Sequence, residues 1–208
     1  LNALLIEIDM KKTLQTFQVA KWLTILGFAG LMTACASGPT VSYGDARGVE
    51  TINADFGSTD VQMIAESMTR SLLQSKVIAG SREAPLVTVA QVKNKTSEYI
   101  DTRMITSKIE TQLLKSGQVR FAVRSADMKG QVGELTRQNS GMYSPDASVK
   151  LGQMQGAKYR IEGEIGVIEK NNGKIRDKFY NFSLRLINNE SGVYEWADEQ
   201  EIRKQEKR

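Results

Sequence analysis

The stretch YRIEGEIGVIEKNNGKIRDKFYNFSLRLI, residues 159–187, decides the fold. Tyr159, Ile161, Ile165 and Val167 alternate with Arg160, Glu162 and Glu164, the period of two that a strand with one buried face requires. Asn171-Asn172-Gly173 breaks the alternation with residues suited to a tight turn, and Tyr180, Phe182, Leu184 and Leu186 resume it. A second turn at Asn188-Asn189-Glu190-Ser191-Gly192 leads to a final strand from Val193 to about Ala197. This is an antiparallel meander of about three strands, and its apolar face needs a cover.

The residues upstream supply one. Ser58 or Asp60 is placed to cap a helix running to about Ile78, with Val61, Ile64, Ala65, Met68, Leu72 and Leu73 recurring at three and four. Leu86 to Val92 alternates and carries Val87, Val89 and Val92, which favours a strand. Thr102 caps a second helix whose stripe is Ile105, Ile109 and Leu113, stopped by Gly117. A short strand over Val119–Val123, a third helix over Ala126–Gln138 and a fourth from about Asp146 to Gln155, ending at Gly156, complete the set. The fold class is therefore α/β: a single-domain sandwich over residues 58–208, with a mixed sheet whose carboxy-terminal antiparallel meander is covered by helices.

The amino-terminal part has another character. From Trp22 to Met32 the sequence WLTILGFAGLM is uncharged and largely apolar, preceded by Lys11, Lys12 and Lys21 and followed by Thr33 and Ala34, the pattern of a secretory signal peptide over residues 1–34. Its eleven residues reach about 16 Å as a helix, against a hydrocarbon core of about 30 Å, so it does not read as a membrane span. The first nine residues, LNALLIEID, precede Met10-Lys11-Lys12, which has the look of a natural start, so they are expected to be an over-extended reading frame. Cys35 is the one cysteine in a chain without histidine, so neither a disulfide nor a usual zinc site is open to it. Met32-Thr33-Ala34-Cys35 resembles the bacterial lipobox, with Met32 in place of the usual Leu, and the resemblance implies that Cys35 is acylated. Ala36, rather than Asp, after the cysteine implies sorting to the outer membrane, with the domain facing the periplasm. Ser37 to Gly57 is rich in Gly, Ser, Asp and Thr, so residues 35–57 read as a lipidated cysteine and a short flexible tether; its 21 residues span at most about 75 Å.

Setting aside Lys11, Lys12 and Lys21 with Glu7 and Asp9 leaves 25 basic against 22 acidic residues after Cys35, a mild excess with no run of five basic residues. A nucleic-acid partner is not expected. The tail Arg203-Lys204 and Lys207-Arg208 reads as a solvated end. Nucleophile and base pairs are also lacking in the pattern, because there is no His and the only Cys is assigned to the lipid. Lys115-Ser116-Gly117 imitates a penicillin-binding motif, but no Ser is followed three residues later by Lys, so it reads as a helix end with a glycine cap. Glu162 and Glu164 share a strand face at a spacing that glycosidase acids use, yet alternating charges are the ordinary dress of a half-solvated strand. Gly163-x-x-Gly166 marks a strand irregularity. No cofactor, metal or small-molecule substrate is expected.

The segment Val92-Lys93-Asn94-Lys95-Thr96-Ser97-Glu98-Tyr99-Ile100-Asp101-Thr102 closely resembles a signature of the LpoB family, outer-membrane lipoproteins that activate a bifunctional class A penicillin-binding protein. Further likeness follows in order: Ala54-Asp55-Phe56-Gly57-Ser58 with Met63-Ile64-Ala65, Ser116-Gly117 before Arg120-Phe121, Gly156-Ala157 before Tyr159, and Gly192 before Glu195-Trp196. The resemblance implies a non-enzymatic periplasmic domain, similar in fold to the amino-terminal domain of TolB, that crosses toward the peptidoglycan and docks on an accessory domain of the synthase. Family members often carry a long Pro-rich tether, which this chain, with three prolines in all, does not. A competing reading is a channel-associated lipoprotein resembling the curli channel family. It requires membrane-spanning hairpins, whereas the only long hairpin, Tyr159 to Ile187, needs its apolar face for the helices.

The polar stretch between the strand ending at Val92 and the helix capped by Thr102 is the expected docking surface: Lys93, Asn94, Lys95, Thr96, Glu98 and Tyr99, with Arg103 just beyond. Tyr and Arg are the side chains that most often anchor an interface. The turn with Lys170 and Lys174, and Arg176 and Tyr180 after it, is expected to widen the patch. Asn94, Thr96 and Asp101 have a second possible use, satisfying turn backbone.

Overall fold

The computed structural model describes residues 41–124 and 126–207. The signal segment, the lipobox and Cys35 lie outside the described residues. The chain divides into two units, residues 1–45 and 46–208. The described part of the first, residues 41–45, has no helix or strand and is exposed.

The second unit is an α/β domain. Its elements are α1 (Ser58–Gln74), α2 (Lys76–Ala79), β1 (Leu86–Val89), β2 (Lys93–Asn94), α3 (Thr102–Ser116), β3 (Arg120–Phe121), α4 (Met128–Gln138), β4 (Tyr159–Asn171), β5 (Ile175–Asn188) and β6 (Tyr194–Lys207). One mixed sheet runs in the order β3-β1-β4-β5-β6, with β2 also paired to β4. β1 is parallel to β3 and β4, whereas β4, β5 and β6 form the antiparallel meander.

Strand pleat sorts the residues as the alternation requires. Tyr159, Ile161 and Ile165 of β4 and Tyr180, Phe182, Leu184 and Leu186 of β5 face inward and are buried, joined by Ile202 of β6. Over them lie Val61, Ile64, Ala65, Met68 and Leu72 of α1 and Ile105, Ile109 and Leu113 of α3, in one core. Each of the larger apolar side chains contributes about 1.5–3 kcal/mol by leaving water, so this contact, rather than helix propensity, holds the two helices in place. The opposite sheet face carries Glu162, Glu164, Ile168, Phe179, Asn181 and Arg203, none of them buried.

Gly163 is required by a close approach. It faces Leu184 across the ladder, and a Cβ there would lie 2.0 Å from the Ser183 carbonyl oxygen. β4 runs through this point unbroken, so the glycine serves tight packing within a regular strand.

Several boundaries differ from those the sequence suggests. The first helix stops at Gln74 because Ser75 is extended; its hydroxyl then caps the single turn α2. The strand expected over Leu86–Val92 stops at Val89; Ala90-Gln91-Val92 is irregular, and the chain pairs again with β4 only at β2, beyond Val92. The strand over Val119–Val123 narrows to Arg120–Phe121, and the third helix begins at Met128. The fourth helix, over 146–155, does not form: the segment is turns and irregular chain, and Gly152 at φ +75° leaves the right-handed helical region. The largest correction is β6, which extends fourteen residues to Lys207. Its inward side, Trp196, Asp198, Gln200, Ile202, Lys204 and Glu206, contains only two large apolar residues, so the apolar alternation is lost although the pleat continues. Arg203, Lys204 and Lys207 of the expected solvated end thus lie in a sheet-edge strand: Arg203 and Lys207 are exposed, Arg203 is paired to Asp177 at 2.6 Å and Lys204 to Asp60 at 3.0 Å.

Candidate functional site

The loop between β2 and α3 is short and internally wired. Asn94 Oδ1 accepts from the Thr96 amide at 2.9 Å and from its hydroxyl at 2.7 Å, and Asn94 Nδ2 donates to the Glu98 carbonyl at 2.8 Å. Asp101 Oδ1 accepts from the Arg103 amide at 3.0 Å, capping α3, and the buried Thr102 hydroxyl donates to the Val92 carbonyl at 2.9 Å. Asn94, Thr96 and Asp101 therefore satisfy turn backbone. What the loop offers outward is Tyr99, 96 % exposed between the anchored Glu98 and the buried Ile100, with Lys93, Lys95 and Arg103 also exposed. Lys95 lies 4.0 Å from Glu164, a surface pair of little energetic weight.

Beneath the loop is a cluster of charges. Lys178, fully buried, places Nζ 2.6 Å from Asp55 Oδ1 and 2.5 Å from Glu98 Oε1. The Tyr180 hydroxyl donates to the same Glu98 oxygen at 2.6 Å, and the Phe56 amide donates to the other at 3.1 Å. Arg176 reaches Asp55 at 3.1 Å and Glu169 at 2.7 Å. Lys204 donates to the Asp55 carbonyl at 2.5 Å and to buried Asp60, whose carboxylate also accepts from the Gly57 amide at the start of α1. The first residues of the domain, the loop and the ends of β5 and β6 are thus joined through ionic hydrogen bonds.

Burial would raise the Glu98 carboxyl, but hydrogen bonds from Lys178, Tyr180 and the Phe56 amide outweigh it and hold the group below the usual range. The Lys178 hydrogen bond likewise lowers the Asp55 carboxyl. Burial would lower the Lys178 ammonium, yet Asp55 and Glu98 together raise it, so the charged form persists. Burial, followed by the hydrogen bond to Glu98, pushes the Tyr180 phenol far up, keeping it a neutral donor.

The residues singled out for docking divide accordingly. Tyr99, Arg103, Lys93 and Lys95 form the accessible part of one loop. Lys170 and Lys174 are exposed, at the end of β4 and in the turn after it. Arg176 is half-buried in the cluster, and Glu98 points down to Lys178. Tyr180 is a correction: it is fully buried, pairs with Val167 across the ladder and stacks edge-on with Phe56 at 5.6 Å, so it presents nothing to a partner. Sequence reading missed Lys178. A signal for it existed, because position 178 is in phase with Tyr180, Phe182 and Leu184, and a lysine on an inward face requires a buried acid. Among the described residues no group of His, Cys, Asp or Glu is arranged to hold a metal, and no helix is long and apolar enough to cross a membrane.

A helix-covered mixed sheet that presents an aromatic residue on a fixed polar loop is a frame suited to recognition. The family described as "Peptidoglycan-synthase activator LpoB" matches residues 60–202, and the chain belongs to that family. Solved structures similar to it include the LpoB C-terminal domain from Escherichia coli, 15% identical, covering 69% of this chain and 98% of that one with a TM-score of 0.44. The corresponding domain from Salmonella enterica is 16% identical over the same shares, with a TM-score of 0.41. Lipoprotein GNA1162 from Neisseria meningitidis is 16% identical, covering 58% of this chain and 83% of that one, with a TM-score of 0.39. A comparison with curated protein sequences gives no match.

Proposed function

We propose that this protein is a lipid-anchored regulator of cell-wall synthesis, held in the outer membrane through Cys35 and facing the periplasm. It docks on the accessory domain of a class A penicillin-binding protein and raises that enzyme's activity without performing chemistry itself. Residues 1–34 serve as signal peptide, and residues 35–57 link the lipid to the domain, the last of them packing on it. The observation that carries this reading is the family match over 60–202, which spans the whole loop from Lys93 to Arg103. The exposed loop residues supply the contact: Tyr99 and Arg103 as anchors, Lys93 and Lys95 as flanking charge, and Lys170 and Lys174 at the hairpin tip.

The lipidated full chain used as bait on membranes of its host should recover a class A penicillin-binding protein. Recovery of none contradicts the reading. Cys35→Ser should abolish fatty-acid labelling and free the domain from outer-membrane fractions, whereas a variant still labelled and membrane-bound would overturn the anchor.

A further inference from the structure

We infer that Lys178 is the positioning residue of the docking loop, and that its one buried ammonium ties the loop to the segment by which the chain joins the domain. The binding half of this inference rests on the docking reading above; the structural half does not.

Tyr99 cannot position itself. Its side chain is almost wholly exposed, so its placement is set by the residues on either side. On one side Ile100 is buried, 7 % exposed, in the core; on the other, Glu98 is held only through its carboxylate and its own backbone turn. That carboxylate meets Lys178, whose three donors have no access to water and must be met by protein oxygen. Asp55 supplies the second oxygen at 2.6 Å, and Glu169 stands farther off at 3.9 Å. Two carboxylates thus share one ammonium, one from the loop and one from the amino-terminal segment, 43 positions apart in sequence.

The consequence is coupling between residues that do not touch through their carboxylates. When Asp55 loses its charge, Lys178 keeps its full demand with one ionic partner fewer, and either water or Glu98 must move to meet it. The Phe56 amide binds the second Glu98 oxygen at 3.1 Å, so displacement of residues 54–57 acts on Glu98 by a second route. Strain arriving along the tether therefore reaches the loop that presents Tyr99.

The test uses the full chain in detergent, with hydrogen exchange of the amides of residues 94–101 as one readout and affinity for the synthase accessory domain as the other. Asp55→Asn, which removes no contact made by the loop itself, should speed loop exchange at least tenfold and weaken binding severalfold. Glu98→Gln should do the same, and the double variant should cost less than the two singles combined. Glu110→Gln, which breaks the Arg124 pair elsewhere on α3, should leave loop exchange unchanged at a similar loss of melting temperature. Lys178→Met should show the largest effect if it folds, but the other variants decide the matter without it. Unchanged loop exchange in Asp55→Asn, or an equal rise in Glu110→Gln, overturns the inference. Raised exchange with no loss of binding in Asp55→Asn, together with wild-type binding by Tyr99→Ala, supports the coupling and overturns the docking reading instead.

Discussion

Helix α1 places Asp60, Val61, Ile64, Ala65, Met68, Thr69 and Leu72 in the interior, whereas α4, eleven residues long, buries none. Both are amphipathic. What separates them is the partner: α1 lies on the inward face of the meander and shares its core, while α4 and the chain after it leave Val132, Met142, Val149, Leu151 and Met154 exposed. An apolar stripe licenses a helix, but only a facing surface with its own inward residues gives the stripe energetic weight. The domain's stability is therefore expected to reside in the meander with α1 and α3.

The strongest way to break that contrast is to open the meander itself. Gly163→Val places a branched side chain where even a Cβ would lie 2.0 Å from a backbone oxygen, and should cost about 4 kcal/mol or more, or prevent folding, as read by denaturant titration. Next comes a pair of truncations. Ile64→Ala in α1, at a site of 0 % exposure, should cost about 3 kcal/mol. Val132→Ala in α4, where the side chain is 51 % exposed, should stay within about 0.5 kcal/mol. Similar losses at the two sites would show that α4 is held by packing after all.

Acid should act through the ionic cluster. Asp55 and Glu98 are lowered when folded, so the folded state binds fewer protons than the unfolded chain in the acid range. Their contribution is complete above the unfolded range near pH 4–4.5 and is lost as pH falls through the folded values. Lys178 is raised, so its contribution is complete below about pH 10.5 and is lost as pH rises through its folded value. The melting-temperature gap between wild type and Asp55→Asn should therefore be steady from about pH 5 to 10 and shrink below about pH 4. A gap that does not shrink at all on acidification would show that Asp55 acts through shape and not charge.

The meander was legible because Tyr159 to Leu186 alternates almost without interruption, and α1 and α3 because their stripes are long and regular. Gly117 reads as a helix stop and occupies the left-handed region at φ +69°. β6 was half hidden because Gln200 and Lys204 occupy its inward side, where Lys204 is satisfied by Asp60 and the Asp55 carbonyl, 144 and 149 positions away. The same long-range logic hid the cluster. Lys178 meets Asp55 across 123 residues and Glu98 across 80, and no local pattern shows which acids a buried lysine will find. Tyr180 was misassigned for a related reason: nearness to a basic turn suggested an exposed edge, while its phase with Phe182 and Leu184 put it inside. Tyr99 is legible as exposed because the run before it, Lys93 to Glu98, is wholly polar and it belongs to no apolar period.

The loop from Lys93 to Arg103 is the docking surface we propose for a class A synthase. It is tested most directly by titrating the synthase accessory domain with wild type and with Tyr99→Ala combined with Arg103→Ala. Both side chains are exposed, so the melting temperature should hardly change, while binding should weaken by about 2 kcal/mol, roughly thirty-fold. Equal affinity in the two proteins would contradict the account.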